Sequence, residues 1–229
     1  MKKHALQLAL DLRFRAALGR EDFMVSQVNM AAVAAIDGWA GWSQRAQAIA
    51  GPAGSGKSHL VEVWRGLSGA ERVPGADLEE SAVHRAVATG AMAVEDIDRG
   101  IGDERVLFHL FNLAREGRLS LLVTSRALPG ELEIALPDLR SRLRAMALTR
   151  IDPPDEALFR ALLVKLMADR QLKIEPDLIE YLMRRIERSA DAARKFVHEI
   201  DRHALATRRN VTVPLAREVL KALGQPGEP

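Results

Sequence analysis

Eight consecutive residues, Gly51-Pro52-Ala53-Gly54-Ser55-Gly56-Lys57-Ser58, limit what this chain can fold into more than any other feature. Glycines at 51, 54 and 56 let the backbone curl until successive N–H groups point inward, the geometry of a cradle for phosphate oxygens. The cradle is complete only between a strand and a helix, because the helix adds its positive N-terminal end. The flanks comply. Ala46-Gln47-Ala48-Ile49-Ala50 is a short strand candidate running into the loop, and Leu60, Val61, Val63 and Trp64 recur at helical spacing beyond it. Lys57 is then placed to reach the β- and γ-phosphates of a nucleotide, and the Ser58 hydroxyl to ligate magnesium. His59 follows inside the same helix, where packing or capping is the simpler role.

Two further apolar runs, Ala91-Met92-Ala93-Val94 and Leu121-Leu122-Val123, read as strands buried on both faces. A helical pattern through Val106, Leu107, Phe108, Leu110, Phe111 and Leu113 lies between them. Strands alternating with helices imply a parallel sheet flanked by helices, the α/β fold of P-loop nucleotide-binding proteins. Before the loop, residues 1–22 read as a short extended segment ending in a polar hinge at Gly19 to Asp22, and a helix through Ala31 to Ile36 should stop near Gly38. After Pro153-Pro154 the strand-like runs cease. An amphipathic helix is predicted from Asp155 to Arg170, a second from Pro176, a third over Asp191 to Ala206 and a last near Pro214. The chain divides accordingly into 1–22, an α/β part over 23–152 and an all-α part over 153–229.

The first strand end that could face the loop carries acid: Val94 is followed by Glu95 and Asp96. Glu95 stands where a carboxylate would hold magnesium through water, and Asp96 where one would orient an attacking water. The order inverts the commoner aspartate-then-glutamate pair, so the metal position has the longer side chain and the base position the shorter.

Composition removes several classes of function. With 33 basic and 31 acidic side chains among 229 residues, the formal charge is +2, which gives no global footprint for nucleic acid. No cysteine is present, so disulfides and thiolate chemistry are excluded. The six histidines show no pairing typical of a metal site, and Ser120 and Ser125 lack a partnered histidine and acid. Trp39 and Trp42 read as helix-end packing. No segment approaches the roughly 20 apolar residues needed to span a bilayer, so a cytoplasmic protein with no membrane association is expected.

Taken in order along the chain, these motifs resemble the DnaA-related AAA+ ATPase family, which holds the bacterial replication initiator DnaA and its shortened relative Hda. Phe23-Met24-Val25 with Asn29 resembles the motif beside the adenine pocket. Gly51 to Ser58 is similar to Walker A, and Val94-Glu95-Asp96-Ile97-Asp98 to Walker B. Leu122-Val123-Thr124-Ser125 resembles the strand end called sensor 1. Pro137-Asp138-Leu139-Arg140-Ser141-Arg142-Leu143 is similar to the box carrying the arginine finger, which puts that role on Arg142. Asn210 to Leu215 resembles the start of the last helix of a small lid subdomain, and Gln7-Leu8-Ala9-Leu10-Asp11-Leu12 the clamp-binding hexapeptide of Hda. There Leu8, Leu10 and Leu12 would enter an apolar groove, with the Gln7 amide as a directional anchor. Only about 15 residues follow Pro214, too few for the helix-turn-helix domain of the initiator.

The resemblance implies ADP or ATP as ligand, with Mg2+. It implies docking on the sliding clamp, the β subunit of DNA polymerase III, with DNA met only indirectly as clamp-loaded DNA. It implies DnaA as partner: Arg142 would stimulate ATP hydrolysis there and negatively regulate initiation. A homodimer is left open. A helicase-loader ATPase and an initiator-like DNA-binding adaptor are the alternatives; the first needs a helicase-binding domain for which some 20 N-terminal residues are short. Three departures bear on the site. Arg126 stands where relatives carry aspartate. Asp191 occupies the place of the lid's sensor 2 arginine, with Arg194 three residues on, and Glu95-Asp96 is inverted. Together they lead to an expectation of tight nucleotide binding with slow intrinsic hydrolysis, below about 1 per second.

Overall fold

The computed structural model describes residues 19–173 and 175–224. Contacts divide the chain into two compact units that meet in sequence between Pro153 and Pro154.

The first unit is built on five parallel strands: β1 (Ala46–Ala50), β2 (Glu71–Pro74), β3 (Ala91–Glu95), β4 (Ser120–Ser125) and β5 (Ala147–Arg150). Their order across the sheet is β2-β3-β4-β1-β5, which puts β1 between β4 and β5. Every residue of β1 and β4 is buried, which is why these strands read as mainly apolar or small-residue runs, with Gln47 the one long polar side chain. Side-chain alternation sorts the core into two layers. Ala91, Ala93, Leu122 and Ile49 pack with Val33 and Ile36 of α1 (Met30–Asp37) and Leu60 and Trp64 of α2 (Lys57–Ser68). Met92, Val94, Leu121 and Val123 face α3 (Ser81–Thr89), α4 (Glu104–Arg115) and α5 (Pro137–Ala145).

Trp64 is fully buried, with Trp42 stacked on it at 5.2 Å and Trp39 edge-on at 6.3 Å, so the tryptophans pack, as expected. The four elements not anticipated as such are β2, β5, α3 and α5.

Among the described residues the second unit holds four helices, α6 (Glu156–Ala168), α7 (Pro176–Met183), α8 (Ala190–Thr207) and α9 (Val213–Ala222). Asp155 caps α6 by accepting from the Leu158 N–H at 2.7 Å, and Ser189 caps α8 by accepting from Ala192 at 3.1 Å. Pro176 and Pro214 sit in first turns, where a missing N–H costs nothing. Phe159, Leu163, Leu182, Phe196, Ile200, Leu215 and Val219 form its core.

Candidate functional site

The phosphate loop follows from its glycines. Gly56 holds φ +100°, and a Cβ there would lie 2.9 Å from Phe23 Cε2. Gly51 is equally crowded, since a Cβ would meet the Ile151 carbonyl oxygen at 2.6 Å. The loop sits at the carboxyl ends of the strands, where open parallel sheets bind ligands, and it is clamped to the sheet by the Gly51 N–H donating to the Ser125 carbonyl at 3.1 Å. Lys57 turns back into it and donates from Nζ to the carbonyls of Gly51 (2.7 Å) and Pro52 (3.0 Å). Burial pushes the Lys57 ammonium below its ordinary lysine value; Asp96 works against that shift, and Arg126 adds to it. Ser55 Oγ is buried without a hydrogen-bond partner among the described residues. Phosphate oxygens suit such a set: inward N–H groups, a buried cation and an unsatisfied hydroxyl. Pro52, Ala53 and Ser58 are exposed at the rim.

Phe23 is buried against this loop, and its ring meets His59 edge-on at 5.1 Å. His59 Nε2 lies 3.0 Å from the Gly19 carbonyl oxygen, so the ring both packs and bonds. Val25 is half exposed, in a turn held by Asn29, whose Oδ1 accepts from the Ser26 N–H and whose amide donates to the Met24 carbonyl, both at 2.9 Å. The structure thus brings Phe23 and His59 to the loop.

The two carboxylates after β3 differ in their surroundings. Glu95 points to the α2 side of the sheet but is held by Arg72 of β2, with Nη1 3.2 Å from Oε1. The same nitrogen lies 3.2 Å from Glu62 of α2. Asp96 adopts a left-handed conformation, φ 52°, and its N–H donates to Thr124 Oγ1 at 3.1 Å. Among acidic groups, Asp96 has the largest influence on Lys57. Ser58 has a hydroxyl exposed one residue into α2, suited to a magnesium ion, whereas Glu95 would have to leave Arg72 to serve it. Among the described residues no group of three or more acidic or histidine side chains gathers for a metal, so such an ion would draw mainly on phosphate and water. Arg72 was not foreseen as part of the site; its only sequence signal was its place on a strand too short to recognise.

Arg126 follows Ser125 directly, beside the start of the loop. Its N–H donates to Asp98 Oδ1 at 2.8 Å, its side chain is exposed, and it makes no ion pair among the described residues.

Arg142 lies elsewhere. It lines a recess of about 30 Å³ with Ala46 and Ala147, the first residues of β1 and β5. The phosphate loop leaves the opposite end of β1, roughly 17 Å away at about 3.3 Å per residue. A guanidinium there cannot serve this chain's own loop. Arg194 belongs to α8, half buried, two residues beyond Ala192. Gln7, Leu8, Leu10 and Leu12 lie outside the described residues. Among the described residues no helix is long and apolar enough to cross a membrane.

Residues 155–220 match the family described as "Hda, lid domain". The fold is shared with domain III of the replication initiation protein DnaA from Thermotoga maritima, with 17% identity over 94% of this chain and 98% of that one and a TM-score of 0.76. AMPPCP-bound DnaA from Aquifex aeolicus is similar at 17% identity, over 82% and 67% of the two chains, with a TM-score of 0.67. The RuvB Holliday junction branch migration motor of Thermotoga maritima is similar at 14% identity, over 90% and 72%, with a TM-score of 0.68. At such identities the likeness shows the fold alone, an AAA+ arrangement in which a parallel α/β unit is followed in sequence by a helical unit.

Proposed function

We propose that this chain, which has an AAA+ fold and whose residues 155–220 match the Hda lid-domain family, is a DnaA-related nucleotide-binding regulator of replication initiation. It holds ADP or ATP at Gly51 to Ser58, with Phe23 and Val25 beside the base and Ser58 toward Mg2+. It presents Arg142 to the nucleotide of DnaA, promotes hydrolysis there, and so acts as a negative regulator. The observation that carries this reading is the separation of Arg142 from the chain's own phosphate loop by the length of β1. An arginine so placed can act on a nucleotide only in another molecule, and a finger supplied in trans is worth roughly 10³ to 10⁵ in rate.

Nucleotide binding on this chain would be chiefly conformational. Lys57, the inward N–H groups and the α2 N-terminus supply charge for the phosphates. Bound magnesium would neutralise the β- and γ-oxygens, with Ser58 as its protein ligand. Asp96 is the group nearest in role to a base. Docking on the DNA sliding clamp through Gln7, Leu8, Leu10 and Leu12 would bring the chain to clamp-loaded DNA, and Arg194 would contribute from the lid. The assay is hydrolysis of DnaA-bound ATP with clamp-loaded DNA, comparing wild type with Arg142→Ala, alongside clamp pull-downs of Gln7→Ala and Leu10→Ala. Equal stimulation by wild type and Arg142→Ala would remove the finger; unchanged clamp capture by both other variants would remove the hexapeptide.

A further inference from the structure

The recess at the amino ends of β1 and β5 contains a second guanidinium. Arg115, the last residue of α4, lines it together with Arg142 of α5, Phe111, Ser43 and Gln44. Neither arginine makes a hydrogen bond or ion pair among the described residues. Asp138, one helical turn before Arg142, makes no ion pair with it either. The neighbouring Arg45 donates from Nη1 to the Gly117 carbonyl at 3.1 Å, which places a third guanidinium near this end of the sheet. Gln44, on the recess wall, sits at φ 52°, and Arg45 beside it at φ 53°. Two successive non-glycine residues in that region cost about 1 kcal/mol or more each and must be held by their surroundings.

A cation in the last turn of a helix is stabilised by the helix's negative end, which accounts for the exposed Arg115 on α4 and the half-buried Arg142 on α5. It does not account for the convergence of the two on one recess that holds no carboxylate. Like charges brought together repel unless an anion is placed between them. Two arginine forks match an anion with several oxygens, as a terminal phosphate has, better than a single charge would. This chain's own nucleotide is excluded, because its loop is at the other end of β1.

We propose that Arg115 is a second phosphate-contacting arginine, acting with Arg142 on the terminal phosphate of a nucleotide held by the partner. The inference rests on the reading of Arg142 given above. Gln44 and Ser43 supply the polar wall of the recess that both arginines line.

The test uses the full chain with DnaA loaded with ATP, AMPPCP or ADP. Wild type should stimulate hydrolysis and should bind AMPPCP-loaded DnaA more tightly than ADP-loaded DnaA. Arg115→Ala and Arg115→Gln should each lose roughly tenfold or more of the stimulated rate and lose the preference for AMPPCP, and Arg115→Lys should recover part of both. Arg85→Ala, on α3, should match wild type, and unfolding midpoints should be unchanged throughout. If Arg142→Ala loses stimulation while all Arg115 variants stay within about twofold of wild type, the second arginine is refuted and the finger stands. If wild type gives no stimulation, or Arg142→Ala matches it, both readings fall together.

Discussion

The backbone N–H of Asp96 donates to Thr124 Oγ1 at 3.1 Å, joining the turn after β3 to the end of β4 beside the phosphate loop. Asp96 is in the left-handed region at φ 52°, a conformation that aspartate tolerates better than most residues. Thr124 is buried, so the hydroxyl holds a turn that the backbone alone would not favour. Thr124→Val keeps the shape but orphans that N–H and should cost about 1 to 3 kcal/mol. Thr124→Ser should retain most of the stability. Denaturant unfolding of both variants checks this; a Val variant as stable as wild type would show that the bond holds nothing in place.

Lys57 gives a pH dependence of fixed sign. Burial lowers its pKa in the folded chain below the ordinary 10.5. Between the lowered value and 10.5 the unfolded chain therefore binds the extra proton, and stability conferred by this group rises with pH. Relative to Lys57→Met, which cannot titrate, wild type should gain unfolding free energy across that window and level off above about pH 10.5. Parallel denaturant titrations would measure it. A wild-type curve that falls relative to the variant over the same range would contradict a buried, depressed lysine. The variant should also lose nucleotide binding at every pH.

Long or symmetric features were legible in the sequence, and positional ones were not. β1, β3 and β4 showed themselves because both of their faces are buried, leaving no polar alternation to confuse them. The lid helices showed through amphipathic spacing and prolines. β2 carries Pro74 and an exposed Arg72, and β5 is exposed along most of its length, because both are sheet edges. Neither presents the apolar run that marks a strand. The site followed the same division. The glycine loop was readable because its chemistry is backbone chemistry fixed by residue type. The hold of Arg72 on Glu95 depends on two strands being neighbours, and the distance of Arg142 from the loop depends on which end of β1 α5 reaches. Neither is a property of local sequence.

Gly56 tests whether the loop's shape or its neighbour is limiting. Gly56→Ala faces two costs: φ +100° and a Cβ 2.9 Å from Phe23 Cε2. The substitution should lower stability by about 1 to 3 kcal/mol and abolish nucleotide binding. In a Phe23→Ala background the steric part disappears and the backbone part remains. The destabilisation by Gly56→Ala should therefore shrink there without vanishing, a coupling read from a double-mutant cycle. Full additivity would mean that Phe23 does not press on the loop.

Arg126 adds a positive charge beside the phosphate loop. Its backbone is pinned by Asp98 beside the loop, and its charge is felt at Lys57 although its side chain is exposed. A positive group there favours a terminal phosphate over the shorter diphosphate, and replacing it with a carboxylate reverses the sign of the field on the same oxygens. Arg126→Ala should weaken triphosphate binding roughly tenfold while leaving ADP within about twofold, and Arg126→Asp should weaken it further. If Arg126 slows hydrolysis on this chain, wild type should turn over below about 1 per second and Arg126→Asp should raise the single-turnover rate above it. Fluorescent-nucleotide titrations with both ligands, followed by single-turnover assays, separate binding from chemistry. Equal shifts for ATP and ADP would mean that Arg126 shapes the loop and does not read the terminal phosphate.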